Sequence, residues 1–106
     1  MNAWIALVFA ILLEVAATLS LKAAGGGSLP ATVAVVVGYL GSFVLLAIVL
    51  RSIEIGTTYA IWAGAGTALI ATIGMIALGE AVTAIKLGSL ALIIAGVVGL
   101  NLAGAH

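Results

Sequence analysis

Four long apolar stretches, separated by three short connections, dominate the chain. The stretches cover residues 3–21, 29–50, 58–78 and 84–103. An α-helix needs about 20 apolar residues to cross the hydrocarbon core of a bilayer, and each stretch is close to this length. Because backbone polar groups inside lipid must be paired within the chain, we expect each stretch to be helical. The pattern therefore predicts an all-α membrane protein with four transmembrane helices per chain.

The connections are brief, which predicts an up-down-up-down bundle with both chain ends on one side. The first contains Gly25, Gly26 and Gly27 and precedes Pro30, a composition that favours a turn followed by a helix start. Residues 1–21 lack a basic segment before their apolar run, so we expect a retained membrane helix rather than a signal peptide. We expect residues 1–106 to form a single transmembrane domain without a separate soluble part.

Composition supports a bilayer as the solvent. The chain has 106 residues, 66% of them hydrophobic, with three basic and three acidic residues. A soluble domain carries about 25% charged residues, so this chain has too little polar surface to cover a water-facing globule. A net charge of zero argues against nucleic acid as a partner. The absence of cysteine excludes a thiolate metal site, and we expect His106, the last residue, to be solvated.

The positive charges in and beside the connections give almost no orientation signal. Lys22 and Lys86 would lie on one side of the membrane and Arg51 on the other, whereas orientation normally follows a clear excess of Lys and Arg. We therefore expect insertion in both orientations, which permits an antiparallel dimer of identical chains. Four helices of about 30 Å leave little room for a substrate chamber in one chain, and two copies could line one between them.

Glu14 is the only acidic residue inside any of the four stretches, near the middle of the first. A central acidic residue costs roughly 2.5–3.5 kcal/mol on insertion scales and usually marks an ion, proton or substrate site. Desolvation favours the protonated carboxyl group, and a second copy close by favours it further, so we expect protons and a cation to compete for this site. The alternative is a protonated Glu14 that only hydrogen-bonds between helices. By helical spacing its face also holds Leu7, Ala10, Ile11, Ala17, Thr18 and Leu21.

Aromatic residues are candidates to contact a cation. Tyr59 and Trp62 lie near the start of the third stretch, and aromatic faces attract cations, Trp most strongly. The alternative is a belt at the membrane interface, which Tyr and Trp favour. In the second stretch Tyr39 and Ser42 lie mid-way along the helix. A Tyr hydroxyl in mid-membrane needs a partner, and Glu14 is a candidate.

Small residues mark the third and fourth stretches. Gly64 and Gly66 favour either a hinge in the third helix or close packing against a neighbour. Ser89 and Gly96 lie seven residues apart on the fourth helix. A stripe of small residues at this spacing is typical of a helix–helix contact, and we assign it to dimerisation.

Together these features resemble the small multidrug resistance family of bacterial inner-membrane exporters, over essentially the whole chain. The motifs that carry the resemblance are Leu13-Glu14-Val15 with Thr18 and Lys22, the run Tyr59-Ala60-Ile61-Trp62-Ala63-Gly64-Ala65-Gly66, and the ending Gly99-Leu100-Asn101-Leu102. The resemblance implies a multi-pass protein of the bacterial plasma membrane that works as an antiparallel dimer and exchanges protons for cations by alternating access. It also implies that Glu14 is shared between substrate and proton. Residues implied to line or tune this site are Trp62, Tyr59, Tyr39, Ser42 and Thr18.

Two branches of the family differ at two positions of this chain. The guanidinium-exporting branch typically has Trp where this chain has Ala17 and Lys where it has Asn101. The drug-exporting branch resembles this chain at both positions, and a small Ala17 is consistent with a wider pocket for bulky substrates. The chain departs from the family in the first connection, which lacks its usual aromatic and basic residues. It departs again at Ser89, where Gly is common.

We therefore expect a transporter and not an enzyme. The prediction is a proton-coupled antiporter for multidrug efflux, exporting lipophilic, aromatic or quaternary ammonium cations, with no cofactor and with protons as the coupling ion. Its expected partners are the cationic substrate, the lipid bilayer and a second copy of the chain. The alternatives are a guanidinium exporter of the same family, one subunit of an obligate heterodimer, an accessory subunit without transport, or a subunit of a proton-translocating ring. The ring subunit needs only a helical hairpin, whereas this chain has four predicted spans.

Overall fold

The computed structural model describes residues 2–104, and the regular secondary structure of this range consists of four α-helices. α1 spans Ala3–Gly25, α2 Leu29–Val49, α3 Ile55–Ala77 and α4 Ala84–Gly104. All four are long and apolar enough to cross a membrane, which confirms the predicted all-α, four-span architecture. The expectation for His106 lies outside the described residues.

Local signals set the helix ends around the first connection. The side-chain oxygen of Asn2 accepts a hydrogen bond from the Trp4 N–H at 2.8 Å and caps the start of α1. The helix ends in the glycine run, where Gly27 has a φ of 96° that favours glycine. Ser28 then caps α2 through a hydrogen bond from the Ala31 N–H at 3.2 Å. The turn and helix start predicted here are confirmed, whereas α1 continues to Gly25, beyond its predicted end at Leu21.

α3 begins earlier than the apolar pattern predicted. The predicted stretch began at Thr58, whereas the helix begins at Ile55, and the Thr58 N–H already donates to the Glu54 carbonyl at 2.9 Å. A hydropathy pattern reads Gly56 as part of a connection, but nothing in the backbone prevents helix at that position. Tyr59 therefore lies in the second turn of α3 rather than in the first.

The helices form two compact units, α1 with α2 and α3 with α4, divided between Ile53 and Glu54. Each unit is described by itself, and the single four-helix bundle stays a prediction. In the first unit α1 buries a stripe at helical spacing: Ala6, Leu7, Ala10, Ile11, Val15 and Ala17. This stripe confirms most of the predicted face around Glu14. Leu21 is the exception, since 44% of its surface is exposed.

Large apolar side chains are exposed on all four helices. Examples are Phe9 on α1, Val37 on α2, Ile76 on α3 and Leu92 on α4. In water an apolar surface of this extent would cause aggregation, whereas in a bilayer it contacts lipid chains. α4 has the smallest buried share of the four spans, so most of its surface is available to lipid or to another chain.

Candidate functional site

A chain of three polar side chains connects the two helices of the first unit. The Glu14 Oε1 accepts a hydrogen bond from the Thr18 hydroxyl at 3.1 Å, since residues four apart are neighbours on a helix. The Thr18 hydroxyl lies 2.7 Å from the Tyr39 hydroxyl of α2. The structure thus brings together three of the predicted site residues. Tyr39 has Thr18 as its partner, where the sequence had suggested Glu14.

The number of protons fixes the direction of these hydrogen bonds. A hydroxyl group has a single proton to donate. When Thr18 donates it to the Glu14 carboxylate, the Tyr39 hydroxyl must be the donor to Thr18. When Glu14 is protonated, all donations can reverse and run from Glu14 to Thr18 and on to Tyr39. The same three groups can therefore serve both protonation states of the carboxyl group.

The second carboxylate oxygen of Glu14 is in a different environment. Oε2 is buried and has no hydrogen-bond partner among residues 2–104. Buried polar atoms are nearly always partnered, and an unmade hydrogen bond costs about 1–3 kcal/mol, more for a charged group. A proton or a cation at Oε2 would remove this cost.

Ser42 forms a hydrogen bond between α2 and the helical turn of α1 that carries Glu14. Its hydroxyl donates to the Ala10 carbonyl at 2.7 Å, and both residues are 0% exposed. In an α-helix the same carbonyl accepts the backbone N–H of the residue four positions on, which here is Glu14. Ser42 therefore positions the carboxylate through the backbone of α1.

Sequence analysis missed Gly38, a residue at which α2 lies close to α1. A Cβ atom on Gly38 would lie 2.8 Å from the Ala17 Cβ and 3.1 Å from the Leu13 carbonyl oxygen. Glycine is therefore required for α2 to approach α1 this closely. A signal was present in the sequence: Gly38 lies four residues before Ser42, so two small residues share one face of α2.

The same contact gives Ala17 a role in packing. The residue is 1% exposed and lies against Gly38, while the wider pocket suggested by its small side chain stays a prediction. In this unit the small size of Ala17 serves the contact between α1 and α2. A Trp at this position would not fit beside α2 at the observed separation.

The second unit carries the predicted aromatic pair. The ring centroids of Tyr59 and Trp62 lie 5.8 Å apart with an interplanar angle of 55°. Tyr59 is 63% exposed and Trp62 is half-buried. Two aromatic faces one helical turn apart provide a surface that attracts cations. In the first unit Tyr39 also has an aromatic neighbour, since its ring stacks on Phe43 at 6.5 Å.

The glycines of α3 lie in a continuous helix. A Cβ atom on Gly64 would lie 2.8 Å from a Val97 methyl group of α4, and Gly66 is buried. Close packing against α4 therefore accounts for Gly64, one of the two interpretations of this motif. A hinge at Gly64 and Gly66 stays a prediction.

The predicted contact stripe on α4 is exposed. Ser89 and Gly96 both lie on the surface, and a Cβ atom on Gly96 would meet no atom within 4 Å. The stripe therefore leaves room for another helix, and its role in a dimer stays a prediction.

The chain is similar to known proteins over nearly its whole length. A family described as Small Multidrug Resistance protein matches residues 2–93. Multidrug resistance protein mmr of Mycolicibacterium paratuberculosis is 46% identical over 102 residues, which cover 94% of this chain and 95% of that protein. The Guanidinium exporter of Escherichia coli is 43% identical over 100 residues, covering 93% and 95%. The uncharacterized membrane protein YvaE of Bacillus subtilis is 42% identical over 100 residues, covering 93% and 84%.

Proposed function

We propose a function for a chain that belongs to the small multidrug resistance family: it exports lipophilic, aromatic or quaternary ammonium cations in exchange for protons. Membership of this family, together with four candidate spans, makes the chain a multi-pass transporter of the bacterial inner membrane. The substrate class and the coupling to protons are our proposal.

The buried, unpartnered Oε2 of Glu14 is the observation that carries the proposal. A proton and an organic cation can each satisfy this oxygen, but they cannot do so at the same time. Competition for one carboxyl group couples the two movements, because a cation leaves when a proton arrives. The hydrogen bond from Thr18 to Oε1 holds the carboxyl group in either state.

The remaining residues receive their roles in the same proposal. Thr18 and Tyr39 orient the carboxyl group, and Ser42 positions its helical turn. Tyr59 and Trp62 stack on the substrate through cation–π contacts. An antiparallel dimer, joined through Ser89 and Gly96 of α4, supplies a second copy of Glu14. Bending of α3 at Gly64 and Gly66 changes which side of the membrane has access.

A second candidate is a guanidinium exporter, which the 43% identity to the Escherichia coli protein favours. The residue pattern favours the drug-exporting branch, since Trp is typical of guanidinium exporters at the position of Ala17. Ala17 packs against Gly38 in this chain, so the position has no space for that Trp. Asn101 stands where the guanidinium branch has Lys.

Proton-driven uptake by the purified chain in liposomes tests the proposal. Tetraphenylphosphonium and guanidinium are compared side by side, with the vesicle interior acidic so that proton efflux drives uptake. Glu14→Gln is the test variant, and Glu80→Gln, which changes an acidic residue outside the spans, is the matched control.

We expect uptake of tetraphenylphosphonium that ends when a protonophore collapses the gradient, that is lost in Glu14→Gln, and that persists in Glu80→Gln. Uptake of guanidinium alone would favour the second candidate. Absence of uptake of either cation, restored only by a second related chain, would identify an obligate heterodimer and overturn the homodimer.

A further inference from the structure

We infer that Gly38 is a positioning residue for the Glu14 carboxyl group. Its missing side chain sets the separation of α1 and α2 at which Tyr39 reaches Glu14 through Thr18. The inference rests on the proposed role of Glu14 as the group that binds protons and cations. Because glycine has no side chain that could bind a proton or a cation, its part in that chemistry is indirect.

The sequence positions of the contacting groups support this role. Gly38 directly precedes Tyr39, and the two groups that it approaches belong to Ala17 and Leu13. Ala17 directly precedes Thr18, and Leu13 directly precedes Glu14. The contact at Gly38 is therefore adjacent to each of the three residues in the hydrogen-bonded chain. A change in helix separation at this point is transmitted to all three side chains.

The distances show how little separation the chain can tolerate. An added Cβ on Gly38 would lie 2.8 Å from the Ala17 Cβ, whereas ordinary contacts of a Cβ begin at 3.4 Å. Relieving the overlap requires the helices to separate by about 0.6 Å. The hydroxyl oxygens of Tyr39 and Thr18 are 2.7 Å apart, within the about 2.5–3.0 Å of a strong O–H···O bond. A separation of this size would stretch the distance to about 3.3 Å, longer than the 3.1 Å bond from Thr18 to Glu14, and would strongly weaken the bond.

Gly41 provides a matched control on the same helix. A Cβ atom there would meet only the Leu13 Cδ1 at 3.1 Å, the far end of a flexible side chain that can rotate away. At Gly38 one of the two contacts is a backbone carbonyl, which cannot rotate away. Gly38→Ala and Gly41→Ala make the same chemical change and gain similar helix propensity, so they differ mainly in the helix separation that they impose.

The chain also offers a compensating substitution. Ala17→Gly removes the Cβ atom that Gly38→Ala would meet, and leaves the Leu13 carbonyl as the remaining contact at 3.1 Å. If Gly38 acts by setting helix separation, the double variant Gly38→Ala/Ala17→Gly should recover much of the hydrogen-bonded chain, although the tight contact with the Leu13 carbonyl remains. A role of Gly38 in backbone flexibility alone would not be rescued from α1.

The test uses NMR of full-length protein in lipid, labelled at the tyrosine Cζ. The chain has two tyrosines, so Tyr39→Phe assigns both signals. In the parent protein we expect the Tyr39 signal to shift as pH changes the protonation of Glu14, and to stop shifting in Glu14→Gln and in Thr18→Val. The shift should be lost in Gly38→Ala, kept in Gly41→Ala and restored in the double variant. This readout needs no substrate, so it separates the inference from the proposed substrate class.

Binding of tetraphenylphosphonium gives a second readout. We expect Gly38→Ala to weaken binding by up to about tenfold, as the loss of one hydrogen bond between two hydroxyl groups would, and Gly41→Ala to leave it nearly unchanged. A pH-dependent Tyr39 signal retained in Gly38→Ala would overturn the inference, and so would equal effects of the two alanine variants. If Gly38→Ala fails to fold, Ala17→Ser replaces it, because this substitution adds one atom to the same contact from the side of α1. The pH-dependent Tyr39 signal and the binding of tetraphenylphosphonium are then measured in Ala17→Ser.

Discussion

Glu14 has two carboxylate oxygens in unlike environments. Oε1 accepts from Thr18, while Oε2 is buried without a partner among the residues that the structure describes. The hydroxyl of Thr18 holds the group in place, and the other oxygen is left for a proton or a cation. Single side chains around this group therefore have separable effects on stability and on binding.

Removal of the Ser42 hydroxyl tests the bond that positions Glu14. Ser42→Ala loses the buried hydrogen bond to the Ala10 carbonyl at 2.7 Å, and we expect the free energy of unfolding in detergent to fall by about 1 kcal/mol. Ser20→Ala is the control, because the Ser20 hydroxyl donates to Ala16 within the same helix and its loss should cost less. Equal costs would show that the Ser42 bond does not join the helices as described.

Truncation of Trp62 tests the aromatic contact to the substrate. We expect Trp62→Ala to weaken binding of tetraphenylphosphonium by about 1–2 kcal/mol, the range of a partly desolvated cation–π contact, and binding of tetramethylammonium by less. Equilibrium binding to the purified protein measures both. Trp4→Ala, which changes the other tryptophan, should leave both affinities unchanged. An equal loss for the two cations would point to a folding defect.

The sequence predicted the residues of the acidic site better than their bonds. Thr18 lies four positions after Glu14, so their contact follows from the geometry of one helix. The partner of Tyr39 could not be predicted in the same way, because it depends on how closely α2 approaches α1. That separation is set at Gly38, a residue whose role is visible only from the atoms around it.

At the scale of elements, glycines set how closely the helices of each unit pack. Gly38 does so between α1 and α2, and Gly64 does so between α3 and α4, where a Val97 methyl group occupies the space of the missing side chain. In each pair a glycine lets the neighbouring helix approach closely, as is common for helices in lipid.

Gly64→Ala should destabilise the second unit, because the new methyl group would overlap Val97. We expect a loss of about 1–3 kcal/mol in the free energy of unfolding, typical of overpacking, and partial recovery in Gly64→Ala/Val97→Ala. The control is Gly56→Ala in the first turn of α3, where a Cβ atom meets nothing within 4 Å. Denaturation in detergent measures all three. Additive effects of the Gly64 and Val97 substitutions would contradict the contact.

Helix existence was predictable from the apolar pattern, whereas helix ends were not. The start of α2 followed the prediction because Ser28 and Pro30 are strong local signals. α3 began three residues before its predicted start because Gly56 and Thr57 were taken for a connection. The shift matters for function, since it moves Tyr59 and Trp62 deeper along the helix.

At the scale of the whole molecule, the chain is a four-span member of a transporter family, and its working assembly stays a proposal. Lys22 and Lys86, near helix ends that we predict on one side of the membrane, are balanced by Arg51 alone on the other, which gives little preference for one orientation. Most of α4 is exposed. An antiparallel dimer through α4 would use both features.

Gly96→Val tests this dimer contact. A Cβ atom at this position would meet no atom of the described residues within 4 Å, so we attribute a large effect to contacts outside the chain. We expect loss of the dimer in chemical cross-linking from liposomes, with loss of transport. Leu87→Phe, about two and a half turns away and so on the opposite face of α4, should retain both. A cross-linked, active Gly96→Val dimer would move the contact elsewhere.

Proton release on cation binding tests the central claim most directly. Calorimetric titration of tetraphenylphosphonium in two buffers of different ionisation enthalpy gives the number of protons released per cation bound. We predict release at a pH where Glu14 is protonated, its absence in Glu14→Gln and its retention in Glu80→Gln. Cation binding without proton release at every pH at which the protein is folded would contradict the exchange of a proton for a cation at Glu14.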